Sequence, residues 1–312
     1  MKRTTLTWVM LAVSVVLCLQ VWHLGTVAVR DTLPRVVKLS LSNLTNPIPV
    51  YYSDGARTRA ERLQADIRDM NDFFQDRLGI QAGVALAVLD SNDWRRVNPV
   101  PFGLPSVMGT PPVVFMPSHS GGFAFQMMMA RKEAIPAEDL ESYLESGRGT
   151  FEAAADDFVD FIAFHELGHV LGEVYGIDPG CHWLDEFVAS YFAYTFIAER
   201  RPETKRVIAL LGRPSKARPK NTTLADFERL YNRVDDYGWY QGMFEIRVQE
   251  LYLQAGLQFL KELQRQFPRA GESATAESTT RAAGKRLAPE DALERLEAMA
   301  PGFRAWARGF EE

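Results

Sequence analysis

The segment His165-Glu166-Leu167-Gly168-His169 sets two imidazoles at positions i and i+4 with a carboxylate next to the first. On a helix this spacing brings both rings to one face, where they can share a metal ion. Glu166 then turns toward a water held by the same ion and can take its proton. The chain has only 5 histidines in 312 residues, so a chance match to this pattern is rare. The plain alternative is a pair of hydrogen-bonded core histidines. Phe151, Ala155, Phe158, Ile162, His165 and His169 do follow the three-to-four spacing of a buried helix stripe, with Thr150 ready to cap its start. Two imidazoles on such a stripe still need polar partners, and a metal ion supplies one. Zinc is the expected metal: its catalytic sites use three protein ligands and keep a fourth position for water.

The third ligand decides the class. In the pattern H-E-x-x-H-x-x-G-x-x-H the last histidine completes the set; here Gly172 matches the glycine, but Tyr175 stands where that histidine belongs. Downstream candidates are Asp178, Cys181, His182, Asp185 and Glu186. Glu186 lies among Trp183, Leu184, Phe187, Val188, Tyr191 and Phe192, where an ionised carboxylate without a partner is very costly. A metal ion would be such a partner.

HELGH followed by WLDEFVASYFAY resembles the gluzincin clan of zinc metallopeptidases, the clan of thermolysin and the zinc aminopeptidases. In that clan a W-L-x-E-x-x-A-x-Y helix carries the third ligand, and Trp183, Leu184, Glu186, Ala189 and Tyr191 stand in this arrangement. The resemblance implies that His165, His169 and Glu186 bind zinc and that Glu166 is the general base. It rests on about thirty residues, with weaker similarity in the helix near 240–264 and in the closing FRAWARGF segment. The aminopeptidases' Gly-Ala-Met-Glu-Asn segment has no counterpart near Pro101–Pro105, so exopeptidase action is not implied. A carboxylate or hydroxyl that orients a ligand histidine is also expected, and Asp185 and Ser190 are the two candidates.

Peptide hydrolysis needs a donor for the developing oxyanion. Aminopeptidase-like gluzincins use a tyrosine before a Lys/Gln-Gly pair, which points to Tyr240 or Tyr237 in the run Asp236–Gly242. His119, in a serine-flanked loop, is an alternative proton donor, though a solvated loop histidine is the simpler reading. Cys181 reads as a small buried hydrophobe or an alternative ligand.

Such a site needs a scaffold, and the chain reads as α+β: a small mixed β-sheet upper lobe followed by a mainly α-helical lower lobe, the gluzincin-like order. Strands are predicted at Arg35–Leu41, Ile48–Tyr52, Ala82–Leu89 and Pro112–Pro117, the last of them a candidate edge for pairing with an extended substrate. Leu63, Ile67, Met70, Phe74 and Leu78 mark a helix that begins after Asp54-Gly55 and ends at Gly79. Residues 119–150 read as mixed loop. Helices follow at Phe151–His169, from Trp183, from Thr223 with a capping box to Asp226, and from Gly242 to Phe267. The expected organisation is an anchor or signal segment over 1–30 and a metallopeptidase-like domain over 31–312. That domain divides into an α+β part (31–150), a helical active-site part (151–267), a flexible insertion (268–288) and C-terminal helices (289–312).

The length allows a sizeable core, and a net charge of -5 with no basic run interleaved with aromatics argues against a nucleic-acid partner. Lys2 and Arg3 precede the apolar run Leu6–Leu24, long enough to span a bilayer. An uncleaved N-terminal transmembrane helix is therefore expected, with the remaining body outside the cytoplasm, in the periplasm of a Gram-negative host. With Cys18 in that segment, Cys181 is the body's single cysteine, so no internal disulfide supports it. The overall expectation is a membrane-anchored, extracytoplasmic zinc metallopeptidase acting on a peptide or protein substrate. The alternatives are a catalytically silent binding or assembly protein with a structural zinc, and a zinc amidase acting on cell-wall material.

Overall fold

The computed structural model describes residues 31–145, 149–212, 219–231, 237–269 and 287–310. The expected membrane helix in 1–30 lies outside the described residues, as does the insertion at 268–288 except for its ends. Among the described residues no helix is long and apolar enough to cross a membrane. The architecture is α+β, with an N-terminal mixed sheet followed by a mainly helical region.

Residues group into two compact units. Of the described residues, the first contains 31–66 and 83–126, and the second contains 67–82 and those from 127 onward. The helical unit thus takes in Ile67–Ala82 and Met127–Glu145 from the N-terminal part of the chain.

The first unit is built on β1 (Ser42–Leu44), β2 (Val50–Tyr52), β3 (Ala85–Leu89), β4 (Ser106–Met108) and β5 (Val113–Pro117), in the order β1-β2-β3-β5-β4. β2, β3 and β5 run parallel, while β1 and β4 pair antiparallel at the two edges. β3 and β5 are buried at every position, which is why they read as continuous apolar runs. Ala85, Ala87 and Leu89 pack with Phe115, Trp94 and Val36 on one face. β5 is held between β3 and β4, so the expectation that Pro112–Pro117 offers a free edge does not hold; the edge strand on that side is β4.

Two further expectations are corrected. Thr32–Val37 is helical, and the first strand starts only at Ser42. Pro34 suits the first turn of a helix, and the alternation in Arg35–Leu41 is too short to prevail. Residues 119–150 contain more than loop: Phe123–Ala130 and Ala137–Glu145 are helices, joined through a 3-10 turn at Lys132–Ala134. The methionine run is helix-favouring because unbranched side chains lose little rotamer freedom there.

In the second unit, helices Phe151–Val174 and His182–Arg200 lie side by side and are mostly buried. Phe187 on the latter contacts Phe244, Phe259, Phe303 and Trp306. Phe303 and Trp306 bring the helix Phe303–Arg308 into this core, and Pro289–Met299 buries Ala292 and Leu296, as the apolar spacing of the two helices predicts. The helix expected from Gly242 to Phe267 begins earlier and is broken: Tyr237–Ala255 and Leu257–Gln266 meet at Gly256, whose φ of 50° favours glycine. The Tyr191 hydroxyl donates to the Gly256 carbonyl at 2.8 Å and ties this break to the centre of the unit.

Glu245, on helix Tyr237–Ala255, is 4% exposed, and its Oε1 has no hydrogen-bond partner among the described residues. Burial disfavours its charged form, outweighs a hydrogen bond from Gln249, and pushes its pKa up to about 8. The folded chain thus binds a proton that the unfolded chain has released between about pH 4.5 and 8, so folding stability falls as pH rises through this window and levels off above it. Glu245→Gln should remove this part of the slope, raising the thermal midpoint at pH 8 relative to the parent and much less at pH 5, as read by thermal denaturation at both values.

Candidate metal centre

The helix Phe151–Val174 starts at Thr150, whose hydroxyl accepts from the Ala153 N–H. It is enclosed on more sides than one stripe requires, with Ala154, Ala163, Leu167 and Leu171 at most 1% exposed. The stripe predicted from Phe151 to His169 is its less covered side, since Phe158, Ile162 and His169 are only partly buried. The histidine pair therefore sits where core gives way to reachable surface.

The partner helix His182–Arg200 approaches very closely. A Cβ at Gly168 would lie 2.3 Å from the Ala189 carbonyl oxygen, and one at Gly172 would lie 3.2 Å from Val188. Two backbones can meet this way only across a residue without a side chain. Gly172, which matches a glycine of the longer histidine pattern, is thus accounted for by helix packing. The close approach brings Glu186 to the histidines: its Oε2 is 3.1 Å from His165 Nε2 and 3.8 Å from His169 Nε2. His165, His169 and Glu186 form a cluster that could hold a metal ion, with one ligand atom from each residue and all three within 4.8 Å of one another. Donor atoms about 2 Å from a tetrahedral ion are separated by about 3.3 Å, so the set fits such an ion with small adjustments. Asp178, Cys181, His182 and Asp185 do not belong to this cluster.

The outer nitrogens show how the rings are held. Asp185 Oδ2 lies 3.4 Å from His169 Nδ1, and Ser190 Oγ lies 3.1 Å from His165 Nδ1. The two candidates for an orienting group thus divide the task, one to each ring. A carboxylate accepts only, so Asp185 keeps a proton on Nδ1 of His169, and once the ring gives up its charge Nε2 is the lone-pair nitrogen a metal needs. A serine hydroxyl can donate or accept, so it serves His165 in either tautomer.

Glu186 is 2% exposed. Burial works against its charge, but the His165 hydrogen bond, the two histidines and Tyr231 outweigh burial and hold the carboxyl well below the usual carboxylate range. Burial likewise works against a charged His169, yet Asp185, Glu186 and Glu166 prevail and push its pKa up to about 10. Glu166, one residue from His165, is close enough for its charge to act on His169, Tyr231 and Tyr237.

The predicted tyrosines fall differently. Tyr237 is at the first turn of its helix with its hydroxyl in reach of Glu186; burial of that hydroxyl, then the Glu186 charge, raise its pKa well above the ordinary value. The Tyr240 hydroxyl instead donates to the carbonyls of Asn221 (2.9 Å) and Thr223 (3.1 Å), so it anchors the turn where Thr223 and Asp226 form the expected capping box. His119 belongs to the sheet unit, its Nδ1 donating to the Ser120 carbonyl. Cys181 is buried and forms no disulfide among the described residues.

Two partners of Glu186 were not foreseen. Tyr231 donates its hydroxyl to Oε1, and Gln241 Nε2 donates to Oε2 at 2.7 Å. Tyr231 reads in the sequence as one more apolar residue of the stripe with Phe227, and no short motif marks it. Gln241 stands in the Gln-Gly pair beside Tyr240, which was a usable signal. Comparisons of the chain with protein-family models, with curated proteins and with solved structures find no match.

Two outcomes follow from this geometry. Gly168→Ala should cost about 3 kcal/mol or more by forcing the helices apart and should lower the metal content of the purified protein; urea denaturation and elemental analysis read the two effects. Loading the metal-free protein with Zn2+ at pH 7–8 should release about one proton, because His169 must lose its charge to become a ligand. The release should fade above about pH 10, where His169 is already neutral; calorimetry in buffers of different ionisation enthalpy measures it.

Proposed function

We propose that the protein is a zinc-dependent hydrolase of peptide bonds, built on a gluzincin-like site. The observation that carries this reading is the convergence of His165, His169 and Glu186 into one ligand cluster, with Glu166 on the turn between the two histidines. A site kept only for structure has no need of a carboxylate base at that place. Zinc, when bound, supplies Lewis-acid polarisation of a water and of the substrate carbonyl.

The remaining steps belong to the chain. Glu166 takes a proton from the attacking water as its oxygen bonds to the carbonyl carbon, then delivers that proton to the amine nitrogen as the C–N bond breaks. Tyr237, partly exposed and with its hydroxyl near Glu186, is the donor for the oxygen that gains negative charge. Asp185 and Ser190 hold the ligand rings, and Tyr231 and Gln241 hold Glu186. The substrate is a peptide or an extended protein segment. The apolar run Leu6–Leu24 behind Lys2 and Arg3 supports a membrane-tethered protein whose catalytic part lies outside the cytoplasm, where a Gram-negative host would place it in the periplasm.

Glu166→Gln should retain zinc at the parent's stoichiometry and lose at least about a hundredfold in turnover. The measurement is cleavage of a fluorogenic peptide library by the full-length protein, with and without chelator. Full activity in Glu166→Gln would remove the base from the mechanism. Zinc binding without chelator-sensitive cleavage of any peptide would turn the reading toward a binding protein or an amidase of cell-wall material.

A further inference from the structure

The helix that carries Glu186 lacks a cap of its own. Its N-cap residue is Cys181, whose side chain makes no capping hydrogen bond. Glu228, from the separate helix Leu224–Leu230, fills that role: its Oε1 accepts from the Trp183 N–H at 2.7 Å, while its Oε2 meets Nδ1 of His182 at 3.1 Å. One carboxylate thus caps the helix and fixes the His182 ring. That ring lies flat on Tyr231, with centroids 3.9 Å apart and planes 12° apart, and Tyr231 donates to Glu186 Oε1. The opposite oxygen, Oε2, faces both histidines and also accepts from Gln241 Nε2 at 2.7 Å.

We infer that His182 is a positioning residue: held by Glu228, its ring orients the Tyr231 hydroxyl so that Glu186 Oε1 is occupied and Oε2 alone is presented to the metal. This rests on the reading of Glu186 as a metal ligand. Neither His182 nor Glu228 touches the metal cluster, and both act through Tyr231. A carboxylate that loses the Tyr231 contact at Oε1 can turn that oxygen toward the ion as well, so its average fit is poorer. Outer partners of this kind are worth about 10–100-fold in metal affinity.

The test is zinc affinity of the full-length protein, by competition with a chromophoric chelator at fixed pH, alongside the visible absorption of the Co2+-loaded protein. His182→Ala and Tyr231→Phe should each weaken zinc binding by about 10–100-fold and alter the Co2+ spectrum in the same way. The double variant should lose less than about threefold beyond the weaker-binding single, because both changes break one chain of contacts. His182→Phe, which keeps a flat ring on Tyr231, should recover most of the loss. If His182→Ala fails to fold, His182→Leu carries the test, since it fills the space and offers no flat ring to Tyr231. Parent-like zinc affinity in His182→Ala, or losses that multiply in the double variant, would overturn the proposal while leaving the metal centre standing. A parent that takes up no zinc would overturn both.

Discussion

A negative charge buried in the second unit governs how that unit is assembled. Glu186 is nearly inaccessible, and a carboxylate so placed must be matched by donors or cations or give up its charge. The four matching groups come from three places: two histidines from the neighbouring helix, Tyr231 from the end of Leu224–Leu230, and Gln241 from the first turns of Tyr237–Ala255. Each of these elements is therefore pinned at a polar point as well as by apolar packing. The aromatic cluster around Phe187 lies one residue further along the same helix, so the core and the polar site are two faces of one element.

The close crossing at Gly168 makes this possible. A side chain there would hold the helices apart, and the three candidate ligand atoms would lose their common centre. Hydrophobic packing between the helices and the geometry of the cluster are thus set by the same contact. The glycine between the two histidines serves the fold and the site together.

Much of this was legible in the chain. The helix with His165 and His169, the Glu186 helix, the capping box at Thr223 and the apolar C-terminal helices all follow from local spacing, because period and cap chemistry are properties of adjacent residues. The segment Arg35–Leu41 was not legible, since a short alternation competes with a proline suited to a helical turn. The edge of the sheet was not legible either: pairing order is a long-range property, and nothing within Pro112–Pro117 tells that both its sides are taken. The same holds for the partners of Glu186. Tyr231 lies 45 residues away along the chain, and its spacing with Phe227 announces only a helix face. Tyr240 shows the converse, for a motif directed attention to a hydroxyl that is engaged in holding a turn.

The long-range cap has a consequence for how the protein matures. A growing chain contains His165, His169 and Glu186 well before it reaches Glu228 and Tyr231, so the candidate ligands exist as a sequence before they exist as a rigid set. The start of the Glu186 helix is left with unsatisfied N–H groups until the Leu224–Leu230 helix docks on it. The last step in building the site is therefore tertiary, and the centre acquires its final shape only when the chain has been made at least as far as Gln241.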